Sequence, residues 1–274
     1  MHNNQFKLCA KGSRRIGAKF VAETEYLAGL VNCLEIDCNY PHDRNFQREL
    51  SYLTRLHRNR HINFTVHAQY VSGGLNDLNP RIRQETLRQA FYAIDCAAKI
   101  GSEVVTMHPA LEPYGWKLSE LPTLELTSYR RIAKYAARKK IKIGLENEAQ
   151  TCFWFPDRAC RIQLLVKTIE AVSSPNFGLT LDIGHANISS EDYLSTIKKY
   201  RNHIFHIHIH DNWGGPANNL KYNHRPDPHL APGHGKINWR QVKKAIRQID
   251  YRGYVELECE IKDIAAAIKY FQKL

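Results

Sequence analysis

The chain has 274 residues, 43% of them hydrophobic, with 39 Lys and Arg against 27 Asp and Glu for a formal charge of +12. That composition supports a packed core, yet no stretch approaches the roughly 20 apolar residues of a membrane span, and Met1-His2-Asn3-Asn4-Gln5 lacks the charged and apolar regions of a signal peptide, so a cytoplasmic protein without a membrane partner is expected. Seven cysteines form no Cys-x-x-Cys pair, which excludes a secreted disulfide framework and a thiolate zinc site and leaves reduced thiols.

Taken along the chain, the pattern predicts eight strand–helix alternations. A first strand, about Phe6 to Ala10, precedes a helix over Lys19 to Leu30; Cys33 to Asp37 is the second strand, before a helix over Phe46 to Arg60. The run Asn63-Phe64-Thr65-Val66-His67 follows, then a helix over Ile82 to Lys99, where Ile82, Leu87, Ala90, Phe91, Ile94, Ala97 and Ala98 recur at three- and four-residue steps. Next come Val104 to His108, a helix over Ser128 to Lys139, Ile141 to Glu146, a helix over Asp157 to Val172, Gly178 to Asp182, and a helix over Ser190 to Tyr200. The series closes with Ile204 to His208, a helix over Trp239 to Ile249, Tyr254 to Glu258 and a helix over Ile261 to Phe271. Pro80 and Pro156 suit helix starts. Such alternation implies parallel strands joined by right-handed crossovers, and no linker divides residues 1–274, so one domain is expected.

Six of these strands end on, or just before, a potential metal ligand: His67, His108, Glu146, Asp182 with His185 close behind, His208 and Glu258. Two more, Asp227 and His229, sit in a loop. Carboxylates and imidazoles are costly to bury without a partner, so finding them at six strand ends implies that the ends converge. The architecture that achieves this is the α/β single (β/α)8 TIM barrel, about 250 residues long, whose active sites lie at the carboxyl ends of its strands. His206 shares the face of His208 one layer deeper, and Glu256 competes with Glu258 on the same face of the last strand; the position nearer the mouth favours Glu258.

The longest loop, Asp211 to Asn238, is expected to fold over the mouth and carry Asp227 and His229 to the metal, with Gly233 and Gly235 making tight turns. Many basic residues, such as Arg55, Arg58, Arg130, Arg131, Lys198 and Lys243, fall in helices of the outer wall; others, including Lys11, Arg14, Arg15, Arg225 and Lys236, fall in loops of the mouth and leave a DNA partner open.

The segments His67-Ala68-Gln69-Tyr70, Met107-His108-Pro109, Leu145-Glu146-Asn147-Glu148, Leu181-Asp182-Ile183-Gly184-His185, His208-Ile209-His210-Asp211 and Asp227-Pro228-His229, in this order, resemble the xylose isomerase-like barrel superfamily. That superfamily includes sugar-phosphate isomerases and epimerases and the endonuclease IV group of apurinic-site nucleases. The resemblance implies a core metal on Glu146, Glu258, Asp182 and His208, and in the endonuclease branch two further metals on His67, His108, His185, Asp227 and His229. Imidazole and carboxylate without thiolate suit zinc, manganese or ferrous iron, at one to three ions per chain.

Two chemistries compete. An isomerase or epimerase of a small hydroxy-carbonyl compound, a sugar or sugar derivative, would use Glu146 and Glu258 to exchange a proton through a metal-bound enediolate. An apurinic endonuclease would use clustered zinc to activate hydroxide against a DNA phosphate. The stretches Asp182-Ile183-Gly184-His185-Ala186-Asn187 and His229 to Trp239 look like the sugar isomerase-like members, and Ala149 to Phe155 lacks the glycine-rich continuation of the nucleases. A non-catalytic metal- or sugar-binding barrel is the third reading. Tyr70, Trp154, His210 and Lys236 complete the expected site as substrate contacts.

Overall fold

The computed structural model describes residues 6–15, 17–38, 44–68, 74–111, 121–150 and 157–274. Eight parallel strands pair in sequence order and close on themselves: β1 (Lys7–Lys11), β2 (Cys33–Asp37), β3 (Asn63–Ala68), β4 (Val104–Met107), β5 (Lys142–Glu146), β6 (Phe177–Asp182), β7 (Ile204–Ile209) and β8 (Tyr254–Leu257). Around them run α1 (Gly17–Ala28), α2 (Arg44–Arg60), α3 (Pro80–Ile100), α4 (Leu121–Lys139), α5 (Asp157–Cys160), α6 (Ile162–Val172), α7 (Ile183–Ile188), α8 (Tyr193–Lys199), α9 (Pro216–Asn223), α10 (Trp239–Gln248) and α11 (Ile261–Lys273). The (β/α)8 expectation is met.

Successive strand residues face opposite ways, and here the two faces differ in kind. Val66, Leu145, Leu179, Leu181, Ile207, Val255 and Leu257 join the helices in one apolar core. The lumen is polar instead: Cys9, Cys33 and Tyr254 cluster apart from that core, Thr106 Oγ1 meets Thr180 Oγ1 at 3.0 Å, and Thr65 donates to Glu35 at 3.1 Å. Barrel interiors are usually filled by branched apolar side chains; this one is filled by hydroxyls, carboxylates and imidazoles.

Helix ends follow local chemistry. Asn79 caps α3 by accepting from the Arg81 amide, Pro80 sits at its first turn, and Gly101 ends it in the left-handed region at φ 74°. The predicted helix from Asp157 to Val172 is two, because Arg161 adopts extended backbone at φ −90°, ψ 106°. A helical turn that the sequence pattern does not predict, α7, directly follows β6, because the Asp182 carboxylate accepts from the His185 amide at 2.7 Å and caps it. The helix predicted from Ser190 begins instead at Tyr193, after Asp192.

The loop between β7 and α10, which also contains α9, is stapled by buried Asp211. Its carboxylate accepts from the amides of Asn212 (2.9 Å), Gly233 (2.9 Å) and Ile237 (3.2 Å) and from Trp239 Nε1 (2.9 Å). Gly233 turns the chain at φ 97°, as its glycine allows. The six described cysteines are free and buried, and no described helix is long and apolar enough to cross a membrane.

Candidate metal centre

Glu146 and Asp182 end β5 and β6, His208 lies near the end of β7, and Glu258 follows β8, so closure of the barrel brings all four to one mouth. One donor atom from each lies within 4.8 Å of the others. His208 Nδ1 stands 2.9 Å from Glu146 Oε1, 3.3 Å from Glu258 Oε2 and 4.0 Å from Asp182 Oδ2. All four side chains are buried, yet Asp182 Oδ2 and Glu258 Oε2 accept no hydrogen bond. Buried carboxylate oxygens left this way are costly unless a cation satisfies them.

Two groups flank this set. On one side His67 Nε2 and His108 Nε2 lie 3.2 Å and 3.4 Å from Glu146 Oε2 and 3.2 Å from each other. On the other, His185 Nδ1 lies 2.9 Å from the Asn147 carbonyl and His229 Nδ1 3.2 Å from the Glu258 carbonyl. A carbonyl only accepts, so both Nδ1 atoms carry hydrogen, and in the neutral rings both Nε2 lone pairs face Asp227 Oδ2, at 3.1 Å and 3.0 Å. Such pinned rings are typical of metal-ligating histidines. His210 joins this group: it is fully buried, stacked on His229 with centroids 4.0 Å apart, and its Nε2 is 3.2 Å from Asp182 Oδ1. Gly184 makes room for it, since a Cβ there would lie 2.1 Å from the His210 ring. All nine residues expected as ligands from the sequence therefore gather at the mouth, and His210, expected as a substrate contact, stands among them.

Glu256 falls elsewhere, in a deeper group with Glu35, His206 and His208, which separates it from Glu258 at the mouth. No role is read from the sequence for Glu35, Asp37 and Glu148, and Lys11 is expected in a loop of the mouth, whereas it is the last residue of β1. Lys11 Nζ lies 3.4 Å from Glu35, 3.1 Å from Asp37 and 3.2 Å from Glu258. The same-face alternation of Cys33, Glu35 and Asp37 on β2 was the available signal. Burial would push Glu258 up, but Lys11, with His229 and His208, holds it well below the usual carboxylate range. Burial of Glu146 is likewise outweighed by His208 and His67. Glu148 is pushed up to about 7 by burial despite His108 and His185.

A cavity of about 460 Å³ opens beside Glu258 and His229, with Lys11, Arg14, Arg15 and Arg225 also on its wall. Lys236 is exposed and does not line it, its amide donating to the Asn212 carbonyl. Tyr70 and Trp154 lie outside the described residues.

Residues 28–274 match the sequence profile of the family described as xylose isomerase-like TIM barrel. The uncharacterized protein MJ1311 of Methanocaldococcus jannaschii is 29% identical over 239 residues, covering 86% of this chain and 76% of its own length. Among solved structures, a D-tagatose 3-epimerase-like protein superposes with a TM-score of 0.83 at 26% identity over 98% of this chain and 96% of that one. An IOLI protein with a binding zinc atom shares the fold, at a TM-score of 0.73 and 18% identity over 98% and 96% of the two chains.

Proposed function

Because the chain belongs to the xylose isomerase-like TIM-barrel family, we propose that it is a divalent-metal-dependent isomerase or epimerase of a small hydroxy-carbonyl compound, a sugar or sugar derivative. The observation that supports this reading is a pair of buried carboxylates, Glu146 and Glu258, 2.9 Å and 3.3 Å from one imidazole nitrogen, with Glu258 on the wall of the cavity. The likeness to a D-tagatose 3-epimerase-like protein points to the same substrate class.

Glu146, Asp182, His208 and Glu258 fit a divalent ion by donor type, by their convergence and by the unsatisfied oxygens of Asp182 and Glu258. When bound, such an ion supplies Lewis acidity that polarises a carbonyl and acidifies the neighbouring C–H. The protein's own part is proton handling. Glu146 and Glu258 are both held ionised, so each can accept a proton from carbon. Lys11, 3.2 Å from Glu258 Oε1, keeps that carboxylate charged and fixed. In an epimerisation one glutamate removes the proton and later releases it to solvent, while the other takes a proton from solvent and delivers it to the opposite face; in an isomerisation the glutamate that took the proton returns it to the adjacent carbon. The test is substrate-dependent exchange of a carbon-bound hydrogen with solvent across a panel of ketoses and keto-acids, measured by NMR. Exchange by the wild type and its loss in both Glu146→Gln and Glu258→Gln is the expected result.

One observation favours a second reading. The donors His67 and His108, and His185, Asp227 and His229, extend the set beyond what a single ion needs, as an apurinic endonuclease with clustered zinc requires. Absence of exchange on the whole panel, together with metal-dependent and salt-sensitive incision of DNA containing an abasic site, selects that reading.

A further inference from the structure

One layer below the mouth lies a set of donors that the proton chemistry above does not use. Glu35 on β2, His206 and His208 on β7 and Glu256 on β8 are all fully buried, and one donor atom from each lies within 4.8 Å of the others. Glu35 Oε2 stands 3.1 Å from His206 Nε2 and 3.3 Å from His208 Nε2; Glu256 Oε2 stands 2.9 Å from His208 Nε2 and 3.9 Å from His206 Nε2. Ligands about 2.0–2.1 Å from a tetrahedral zinc stand roughly 3.3 Å apart, and these four spacings bracket that edge.

The hydrogen bonds in this layer leave a gap of the kind a cation fills. His206 Nδ1 lies 3.2 Å from the Tyr254 carbonyl, which only accepts, so the neutral ring turns the Nε2 lone pair on Glu35 Oε2. Two acceptors thus face each other at 3.1 Å with no hydrogen of their own between them. Glu256 Oε1 has no hydrogen-bond partner, and Oε2 meets only the two imidazoles, at 2.9 Å from His208 Nε2 and 3.9 Å from His206 Nε2, although the residue is wholly buried. The pinned ring of His206 repeats the arrangement of His185 and His229 at the mouth, with Nδ1–H on a backbone carbonyl and Nε2 on a carboxylate. Thr65 and Lys11 donate to Glu35 at 3.1 Å and 3.4 Å and fix it as supporting groups fix a ligand.

We propose that Glu35, His206, Glu256 and the Nε2 of His208 form a separate, dry seat for a divalent cation of the zinc type, which stabilises the barrel rather than serving turnover. The two carboxylates balance the ion's charge. His208 then addresses one seat with each ring nitrogen, Nδ1 upward and Nε2 downward. When both seats are filled the ring is an imidazolate, and its remaining proton leaves to solvent as the second ion binds. Because all four side chains are fully buried, the ion exchanges only when the barrel opens. This seat shares His208 with the mouth but does not depend on the reaction proposed there.

The test uses full-length protein from zinc-supplemented cultures, dialysed against EDTA without denaturant and assayed for zinc by mass spectrometry. One zinc per chain should survive in the wild type and in the mouth variants Asp182→Asn and Glu258→Gln. It should be lost from Glu256→Gln and His206→Gln, which keep the volume of the side chain, and from the wild type only as fast as denaturant unfolds it. A wild type stripped of zinc, retention by Glu256→Gln, or loss from Asp182→Asn with retention by His206→Gln each overturns the seat and assigns the gap to a shared proton. Should the deep variants not fold, an anomalous difference map of wild-type crystals at the zinc edge decides alone: a peak within bonding distance of Glu35, His206 and Glu256 upholds the seat, and none refutes it. Mouth occupancy is read separately, as the zinc that EDTA removes, so failure of the proposed reaction and failure of this seat are distinguishable.

Discussion

On β8, Val255 and Leu257 pack outward into the apolar core, while Tyr254 and Glu256 turn into the lumen and Glu258 follows at the mouth. The same division runs through β7, where Ile207 and Ile209 face the helices and His206 and His208 face each other's partners across the barrel. The outer layer gains about 1.5–3 kcal/mol for each large aliphatic side chain it buries. The lumen spends part of that gain on desolvating carboxylates and imidazoles. Stability and chemistry therefore occupy alternate residues of the same strands, and adjacent positions should respond to substitution in opposite ways.

The sharpest break in that comparison is one residue wide. Glu258→Gln should lower kcat/KM on a responsive ketose by roughly 10²–10⁴-fold, the usual contribution of a positioned acid or base. It gives up one ion pair of Lys11, which keeps Glu35 and Asp37 as partners, so the protein should stay folded. Its neighbour Leu257, fully buried in the outer core, should behave conversely: Leu257→Ala is expected to cost about 2–5 kcal/mol in urea unfolding and to leave activity per folded molecule intact. Activity lost with Leu257→Ala at full stability, or a fold melted by Glu258→Gln, would refute the division.

Asp211 joins the two layers, because the loop it staples carries Asp227 and His229. Asp211→Ala strands four donors, and leaving buried donors unsatisfied costs roughly 1–3 kcal/mol. Limited proteolysis should then cut within 212–238 before the rest of the chain, and metal should bind more weakly.

The smallest effect is one of pH. Burial pulls His210 down, but Asp182 and Asp227 outweigh it and raise it to about 9, from an ordinary value near 6.5. His185 and His208 are raised as well, Asp182 leading for the first and Glu256 for the second once burial is overcome. A group whose folded pKa is raised gives stabilisation that is full below its unfolded pKa and is lost as pH climbs through its folded pKa. The metal-free protein should therefore melt at a lower temperature at pH 9 than at pH 6.5. Added zinc should reverse the trend, because the ion competes with those protons. A rising melting temperature in chelator over that interval would show that the lumen histidines are neutral before metal arrives.

Alternation and the placement of carboxylates and imidazoles made the barrel, its strands and the side chains that gather at the mouth legible from the sequence, because a buried strand repeats every second residue and its final side chain stands at the rim. Helix bounds were less legible. Asp182 read as a ligand, and its second use as the cap of α7 depends on backbone geometry that no periodicity encodes. The break at Arg161 and the helix α9 were hidden for the same reason.

The deeper layer shows where tertiary structure takes over. The sequence by itself determined that Glu256 and Glu258 share a face and that His206 lies below His208. It did not bring Glu35 to His206, 171 residues apart, or Lys11 to Glu258, 247 residues apart. Those contacts arise only when β1 pairs with β8 and the sheet closes. Closure also decides which carboxylate joins the mouth and which lies beneath it, since the tilt of the strands sets the height of each residue in the barrel. Local pattern fixes the direction in which a side chain points; what it meets there is set by the register between strands far apart in the chain.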